Sequence, residues 1–315
     1  MGKIAFLFPG QGSQSIGMGL ALSEGYDVAR DVFNRADNFL ARPLSALMFN
    51  GPEAELLPTI NTQPALYVTS VAAYEALISE TSLRPDAVAG HSIGEYAALY
   101  AAGVFDLETG LGLVSKRAQA MQRAAAKAGG AMAAVLGLSA DAVRELCRDV
   151  EASGAGMVDP ANFNSPGQVV ISGEVAAIDA ASELAKERGA KKVMRLNVSG
   201  AFHSRLMAPA AGAMEAVLSG AALTAPPIPI ISNVTAEYAS GIEEIRHNLS
   251  AQVDHPVRWE ETLFKLAADG FDRFIEVGSG SVLSGLVKRT LTEVGYASFG
   301  SPSDLEKVLK VGESA

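Results

Sequence analysis

The chain opens with an apolar run, Ile4–Phe8, ended by Pro9-Gly10. A short, unbroken apolar run between turn signals predicts a parallel strand buried on both faces. Helical periodicity follows near Val28–Leu40, Gln63–Glu80 and Glu108–Lys127. Between the second and third, Ala87-Val-Ala-Gly predicts a short strand that leads into a helix over Ile93–Ala102. Later, Ile228–Ile231 and Arg273–Val277 predict strands, the second running through Gly278-Ser-Gly into a helix over Val282–Thr290. Strand, Gly-rich turn and helix in repetition predict an α/β fold with a mainly parallel sheet.

The middle of the chain has another rhythm. Ala131–Leu138 predicts a strand, and Asp141–Glu151 a helix that Ser139 is suited to cap. Met157–Phe163 and Gln168–Ser172 predict strands joined by Asn164-Ser-Pro-Gly, residues suited to a hairpin turn. A helix over Glu174–Arg188 and a strand over Lys192–Val198 complete a βαββαβ order, the ferredoxin-like unit. The expected organisation is a discontinuous α/β domain over 1–128 and 198–315, with a ferredoxin-like subdomain inserted at 129–197.

Composition supports this size of core and narrows the partners. At 315 residues the chain exceeds a typical single core of about 100–150 residues. With 49% apolar and 19% charged residues, disordered and fibrous classes are excluded. A formal charge of −10 argues against a nucleic-acid partner. Cys147 has no second cysteine to pair with and lies in a helical pattern, which predicts a buried thiol. No Cys/His spacing fits a metal site, so no metal is expected; a resident cofactor is not expected either. The apolar start is too short for a signal peptide, and the glycines, glutamines and serines within 4–23 exclude a membrane span. A cytoplasmic protein without membrane partners is the expectation. Few long apolar surface runs point to a monomer.

Gly90-His91-Ser92-Ile93-Gly94 is a G-x-S-x-G between a predicted strand and a predicted helix. In that context the serine is pushed out of a tight turn, and the helix start supplies N–H donors beside it. The competing reading is a Gly-rich helix start with Ser92 as its cap. A serine nucleophile needs a base, and the chain has 4 histidines. His91 adjoins the serine on a tight turn, His247 lies in a polar helical stretch over Glu243–Ala251, and His255 precedes Pro256. His203 lies in the loop Ser199–Ser204, after the last predicted strand of the insert and before a helix predicted over Leu206–Leu218. Loops at strand ends gather catalytic groups in such folds, so elimination favours His203. The third member stays open between Asp254 and a backbone carbonyl.

Two more features suggest the acyl group. Gly10-Gln11-Gly12-Ser13-Gln14 follows the first strand and is a loop able to offer an N–H to an oxyanion. It lacks the Walker pattern, and Ser15 stands where G-x-G-x-x-G needs glycine. Arg117 shares a helix face with Met121 among Leu111–Val114 and Ala118. It either snorkels to solvent or is buried to meet a carboxylate, which a guanidinium can grip with two parallel bonds.

These segments occur in the order of a known family. Gly10-Gln-Gly-Ser-Gln, Gly90-His-Ser-Ile-Gly-Glu, Lys116-Arg117 with Met121-Gln122, and Ala161-Asn-Phe-Asn-Ser-Pro-Gly-Gln come first. Phe202-His203-Ser204, Ser232-Asn-Val, and Gln252 with Pro256-Val-x-Trp259 follow. Together, over about residues 3–290, they resemble the malonyl-CoA:acyl carrier protein transacylases of bacterial fatty-acid synthesis. The resemblance implies an α/β-hydrolase-like large domain, Ser92 as nucleophile and His203 as base and acid. It implies an oxyanion hole from the Gln11 and Ile93 amides, and Arg117 as clamp for a malonyl carboxylate. It also implies a main-chain carbonyl at Gln252 that orients the histidine, a bulky Phe202 suited to malonyl, and substrate contacts at Met121 and Asn162. Ala118 stands where the family often has glycine, and His255 where asparagine is expected.

The implied partners are malonyl-CoA and a holo acyl carrier protein, whose phosphopantetheine thiol receives the acyl group. An acidic carrier needs a local basic patch on an acidic enzyme. Lys191, Lys192, Arg195 and Arg205, or Lys288-Arg289, are candidates, with a plain solvated surface as the alternative. Two rivals remain at this level: a serine hydrolase or thioesterase, which needs an acidic triad member and no Arg117, and a same-family acyltransferase serving a polyketide synthase. A non-catalytic scaffold that only binds acyl carriers would leave Ser92 and His203 a coincidence.

Overall fold

A computed structural model of the protein describes residues 2–313. Five parallel strands form the first sheet: β1 (Lys3–Phe8), β2 (Ala87–Gly90), β7 (Ile230–Ile231), β8 (Phe271–Val277) and β9 (Gly295–Phe299), in the order β7-β2-β1-β8-β9. The unbroken apolar run of β1 is explained by cover on both faces. Ile4, Phe6 and Phe8 face a core shared with the helix Thr59–Glu80, while Ala5 and Leu7 face one built with Trp259, Leu263 and Leu286.

β3 (Ala131–Leu136), β4 (Val158–Ser165), β5 (Gln168–Gly173) and β6 (Lys192–Arg195) form a second, antiparallel sheet in the order β4-β5-β3-β6. The helices Ala140–Ala152 and Val175–Glu187 belong to this sheet's own core, with Val135, Leu146, Ile171 and Ile178 buried together. Ser139 Oγ accepts from the Ala142 amide at 3.2 Å, the predicted cap. The hairpin loop narrows to Pro166-Gly167, where Gly167 takes φ +73°.

Among the predicted boundaries that differ from the structure, three have a local cause. The strand expected over Lys192–Val198 ends at Arg195. Beyond Leu196, whose amide still bonds Met132 O at 2.9 Å, the chain leaves the sheet edge to form the loop that carries His203. The strand expected from Ile228 starts at Ile230, because Pro226, Pro227 and Pro229 lack the N–H a ladder needs. The helix expected from Leu206 starts with a 3₁₀ turn, Arg205–Met207, and continues as Ala208–Ser219 with Pro209 in its first turn.

Register decides where the chemistry gathers. Phe8 pairs with Gly90 and Ala89 with Ile231, so three neighbouring strands end side by side. Their next residues are the Gly10–Gln14 loop, His91-Ser92 and Ser232-Asn233. Parallel sheets collect ligand and catalytic groups at this carboxyl edge. The second sheet is stitched to it through Phe163 N to Val257 O and Val257 N to Ala161 O, each at 2.9 Å. That pairing brings β4 against the loop after the helix Ile242–Ala251, which carries Gln252. Among the described residues, no helix is long and apolar enough to cross a membrane.

Candidate active site

Ser92 sits between β2 and the helix Gly94–Ala101 with φ +53°, the strained left-handed turn of a nucleophile elbow. The flanking glycines are required by close approach. A Cβ on Gly90 would stand 2.0 Å from Gly94 C, and one on Gly94 would stand 2.1 Å from Phe8 O. Asn233, from the neighbouring strand end, braces the elbow: its Oδ1 accepts the Ser92 amide at 2.6 Å and its Nδ2 donates to Gly90 O at 2.6 Å.

Ser92 Oγ lies 2.8 Å from His203 Nε2. His203 Nδ1 lies 2.7 Å from the main-chain oxygen of Gln252. A carbonyl only accepts, so Nδ1 carries the proton and Nε2 is left to accept from the serine hydroxyl. His203 itself has φ +57°, in a loop pinned by Ser204 Oγ donating to Ala201 O at 2.7 Å. Burial and the nearby Arg117 charge push its pKa down to about 3, against the pull of the Gln252 carbonyl. The imidazole is therefore neutral near pH 7, the state a general base requires.

The alternative triad acid fails on geometry. Asp254 Oδ1 lies 2.6 Å from Nδ1 of the exposed His255, so it is turned to the surface pair and not to His203. His91 is half-buried and structural, with Nε2 2.8 Å from Asn164 Oδ1 and its ring against Trp259.

Arg117 is fully buried on the helix Leu107–Ala128, which excludes the snorkelling alternative. Its Nη2 donates to Ser92 Oγ at 3.1 Å and to Gln252 Oε1 at 2.8 Å. Among the described residues, Nε and Nη1 have no hydrogen-bond partner. A buried guanidinium with two unused nitrogens is a strong call for an anionic ligand, because leaving such donors unmet is costly. Met121, one turn on, is buried and accepts from Gln63 Nε2 through its sulfur at 3.4 Å. Phe202 and Asn162 are buried as well, Phe202 beside His203 and Asn162 on β4. Ile93 is buried next to Ser92, and Gln11 is half-buried on the loop after β1. Among the described residues, neither the Gln11 nor the Ile93 amide donates to another group. The Ser92 amide is already occupied by Asn233, so an oxyanion must look to other amides.

The proposed basic patch is thinner than expected. Arg195 is paired with Asp179, and Arg205 is tied to Asp159 at 2.9 Å and to Glu151. Arg289 Nη1 donates to Gln168 Oε1 at 2.7 Å, a link to the second sheet.

Three site residues escaped the sequence-based reading of roles. Asn233 braces the serine, Asn164 holds His91, and Glu95 Oε2 accepts from Gln252 Nε2 at 2.6 Å and from the Asn233 amide at 3.2 Å. Glu95 carried a signal: it is a lone carboxylate followed by Tyr96–Ala102, an otherwise apolar stretch. Cys147 is buried, its thiol pushed up to about 12 by burial, far from reactive. No group of three His, Cys, Asp or Glu among the described residues is arranged to hold a metal.

Comparison with known proteins agrees with this geometry. Residues 5–310 match the family described as acyl transferase domain. The chain is 45% identical over 310 residues to the malonyl CoA-acyl carrier protein transacylase of Bacillus subtilis (strain 168), with 98% of this chain and 97% of that protein covered. It superimposes on the crystal structure of an acyl-carrier-protein S-malonyltransferase from Burkholderia pseudomallei 1710b with a TM-score of 0.94 at 42% identity, covering 98% and 99% of the two chains. A malonyl-transacylase in complex with its type II PKS acyl-carrier protein gives a TM-score of 0.94 at 40% identity, covering 98% and 99%. An elbow serine, a neutral imidazole and a match that spans nearly the whole sequence lead to one assignment: this chain belongs to the acyl transferase family.

Proposed function

We propose that the protein moves a malonyl group from malonyl-CoA to the phosphopantetheine thiol of a holo acyl carrier protein, through a malonyl ester on Ser92. Ser92 Oγ attacks the thioester carbon while His203 Nε2 takes its proton. The tetrahedral oxyanion is received by the Gln11 and Ile93 amides. As the C–S bond breaks, the coenzyme A sulfur leaves with the proton from His203. In the second half the carrier thiol gives its proton to His203 and its sulfur attacks the ester. The C–O bond then breaks and Ser92 regains the proton. Side chains and backbone amides serve every step, so the reaction calls for no metal or resident cofactor.

The observation that carries the malonyl assignment is the buried, partly unpartnered Arg117 bonded to the nucleophile. Its Nε and Nη1 meet the free carboxylate of malonyl, and an acetyl group would leave them empty. Met121, Phe202 and Asn162 line the acyl pocket. The Gln252 carbonyl replaces a triad acid, which disfavours the hydrolase reading. The fold supports a discontinuous α/β-hydrolase-like domain over 1–128 and 198–315 with a ferredoxin-like insertion at 129–197, whose strand order and separate core fit that unit. The protein acts as a cytoplasmic monomer in fatty-acid synthesis.

A two-step mass measurement tests this. The protein is mixed briefly with malonyl-CoA and weighed intact, then chased with holo carrier, which is weighed in turn. A gain of one malonyl on the protein, passed to the carrier, is expected. Free malonate with an empty carrier would make the protein a hydrolase.

A further inference from the structure

Glu95 takes part in no step above, yet it sits one side chain away from the nucleophile's brace and from the arginine. It lies in the first turn of the helix Gly94–Ala101 and is 3% exposed. A carboxylate this deep is costly unless its lone pairs are used. The bond from Gln252 Nε2 to its Oε2, at 2.6 Å, has a directional consequence.

The Gln252 amide can be set either way round. On one side it faces two oxygens that only accept, Glu95 Oε2 and Ser92 O, the latter at 3.0 Å. Only the NH₂ end can meet both. Oε1 must then face Arg117, where it takes Nη2 at 2.8 Å. Reversed, the amide would aim its NH₂ at a guanidinium, donor against donor. The orientation of Arg117, and with it the freedom of Nε and Nη1, follows from the carboxylate behind Gln252.

We propose that Glu95 is a positioning residue for acyl selectivity: through the Gln252 side chain it fixes the Arg117 guanidinium so that its unpartnered nitrogens meet a substrate carboxylate. This rests on the malonyl-transfer reading. The same carboxylate holds the Asn233 amide at 3.2 Å, so the brace of Ser92 and the clamp share one anchor. Burial pushes the Glu95 carboxyl up to about 7, while Gln252, Asn233 and the Arg117 charge draw it down. Near neutral pH the carboxyl is therefore shared between its protonated and ionised forms, and Oε2, which takes both N–H donors, is an acceptor in each.

The test is Glu95→Met, which keeps the length of the side chain and removes both acceptor oxygens. Acylation is followed by intact mass with malonyl-CoA and with acetyl-CoA, and the melting temperature checks the fold. The malonyl-to-acetyl ratio of kcat/KM should fall on the order of tenfold, mainly through a higher KM for malonyl-CoA. Equal losses on both substrates, or an unchanged ratio, would overturn the role of Glu95. Should that variant not fold, Glu95→Asp, which keeps a carboxylate but withdraws it from Gln252 Nε2, carries the same test. A parent protein that takes up no malonyl at all would overturn the transfer reading and this role together.

Discussion

The core of the four-stranded sheet and the carboxyl edge of the five-stranded sheet exclude water to a similar degree and hold opposite things. Val135, Leu146, Ile171 and Ile178 are fully buried in the first, an apolar interior stabilised by removed surface. In the second, Arg117, Asn233 and Gln252 are fully buried and Glu95 and His203 nearly so. Each buried ion there carries a desolvation penalty of roughly several kcal/mol, offset only by well-made bonds. Packing alone does not ask for such residues. The difference teaches that buried polar and charged groups are gathered at one sheet edge, where fixed donors and acceptors are worth most to a reaction.

Breaking the polar edge should change chemistry most. Arg117→Ala is expected to lower kcat/KM for malonyl-CoA by on the order of a hundredfold, the loss of charged hydrogen bonds. The same variant should gain activity on acetyl-CoA, read by acylation rates on the two substrates. Equal loss on both would remove the clamp.

The next effect is one of pH. An imidazole at the ordinary 6.5 would lose about thirtyfold in rate by pH 5, as its Nε2 became protonated. His203 is held near 3, so its base form persists there. At saturating malonyl-CoA, kcat for acylation should change by less than about twofold between pH 7 and 5. Stability runs the other way: below 6.5 the unfolded chain gains a proton on this histidine that the folded one refuses, so its contribution is lost as pH falls toward 3. A steep acid limb near 6.5 would mean that the imidazole is not desolvated as described.

The smallest effect on catalysis should come from the apolar core. Leu146→Ala removes a fully buried side chain and should lower stability by about 2–5 kcal/mol. The malonyl-to-acetyl ratio of the folded protein should stay at the parent value. A shifted ratio would show that the second sheet tunes the clamp.

Much of this was legible in the sequence, and for physical reasons. The uninterrupted apolar run of β1 and the amphipathic helices of the insert announce themselves because burial is periodic along the chain. Ser92 was legible because an elbow needs glycine on both sides, and His203 because few histidines compete. Arg117 was ambiguous: one arginine on an apolar helix face reads the same whether it snorkels or is buried. Glu95 and Asn233 were legible as residues but not as roles, since their partners lie 157 and 141 positions away along the chain. The ion pairs that occupy Arg195 and Arg205 are tertiary in the same way.

The covalent intermediate is the most direct test. The parent protein and Ser92→Ala are mixed with malonyl-CoA, stopped within the first turnover and weighed intact. Transfer through Ser92 predicts one malonyl unit on the parent, lost again on addition of holo carrier, and none on Ser92→Ala. A malonyl unit on both proteins, or on neither, would contradict it.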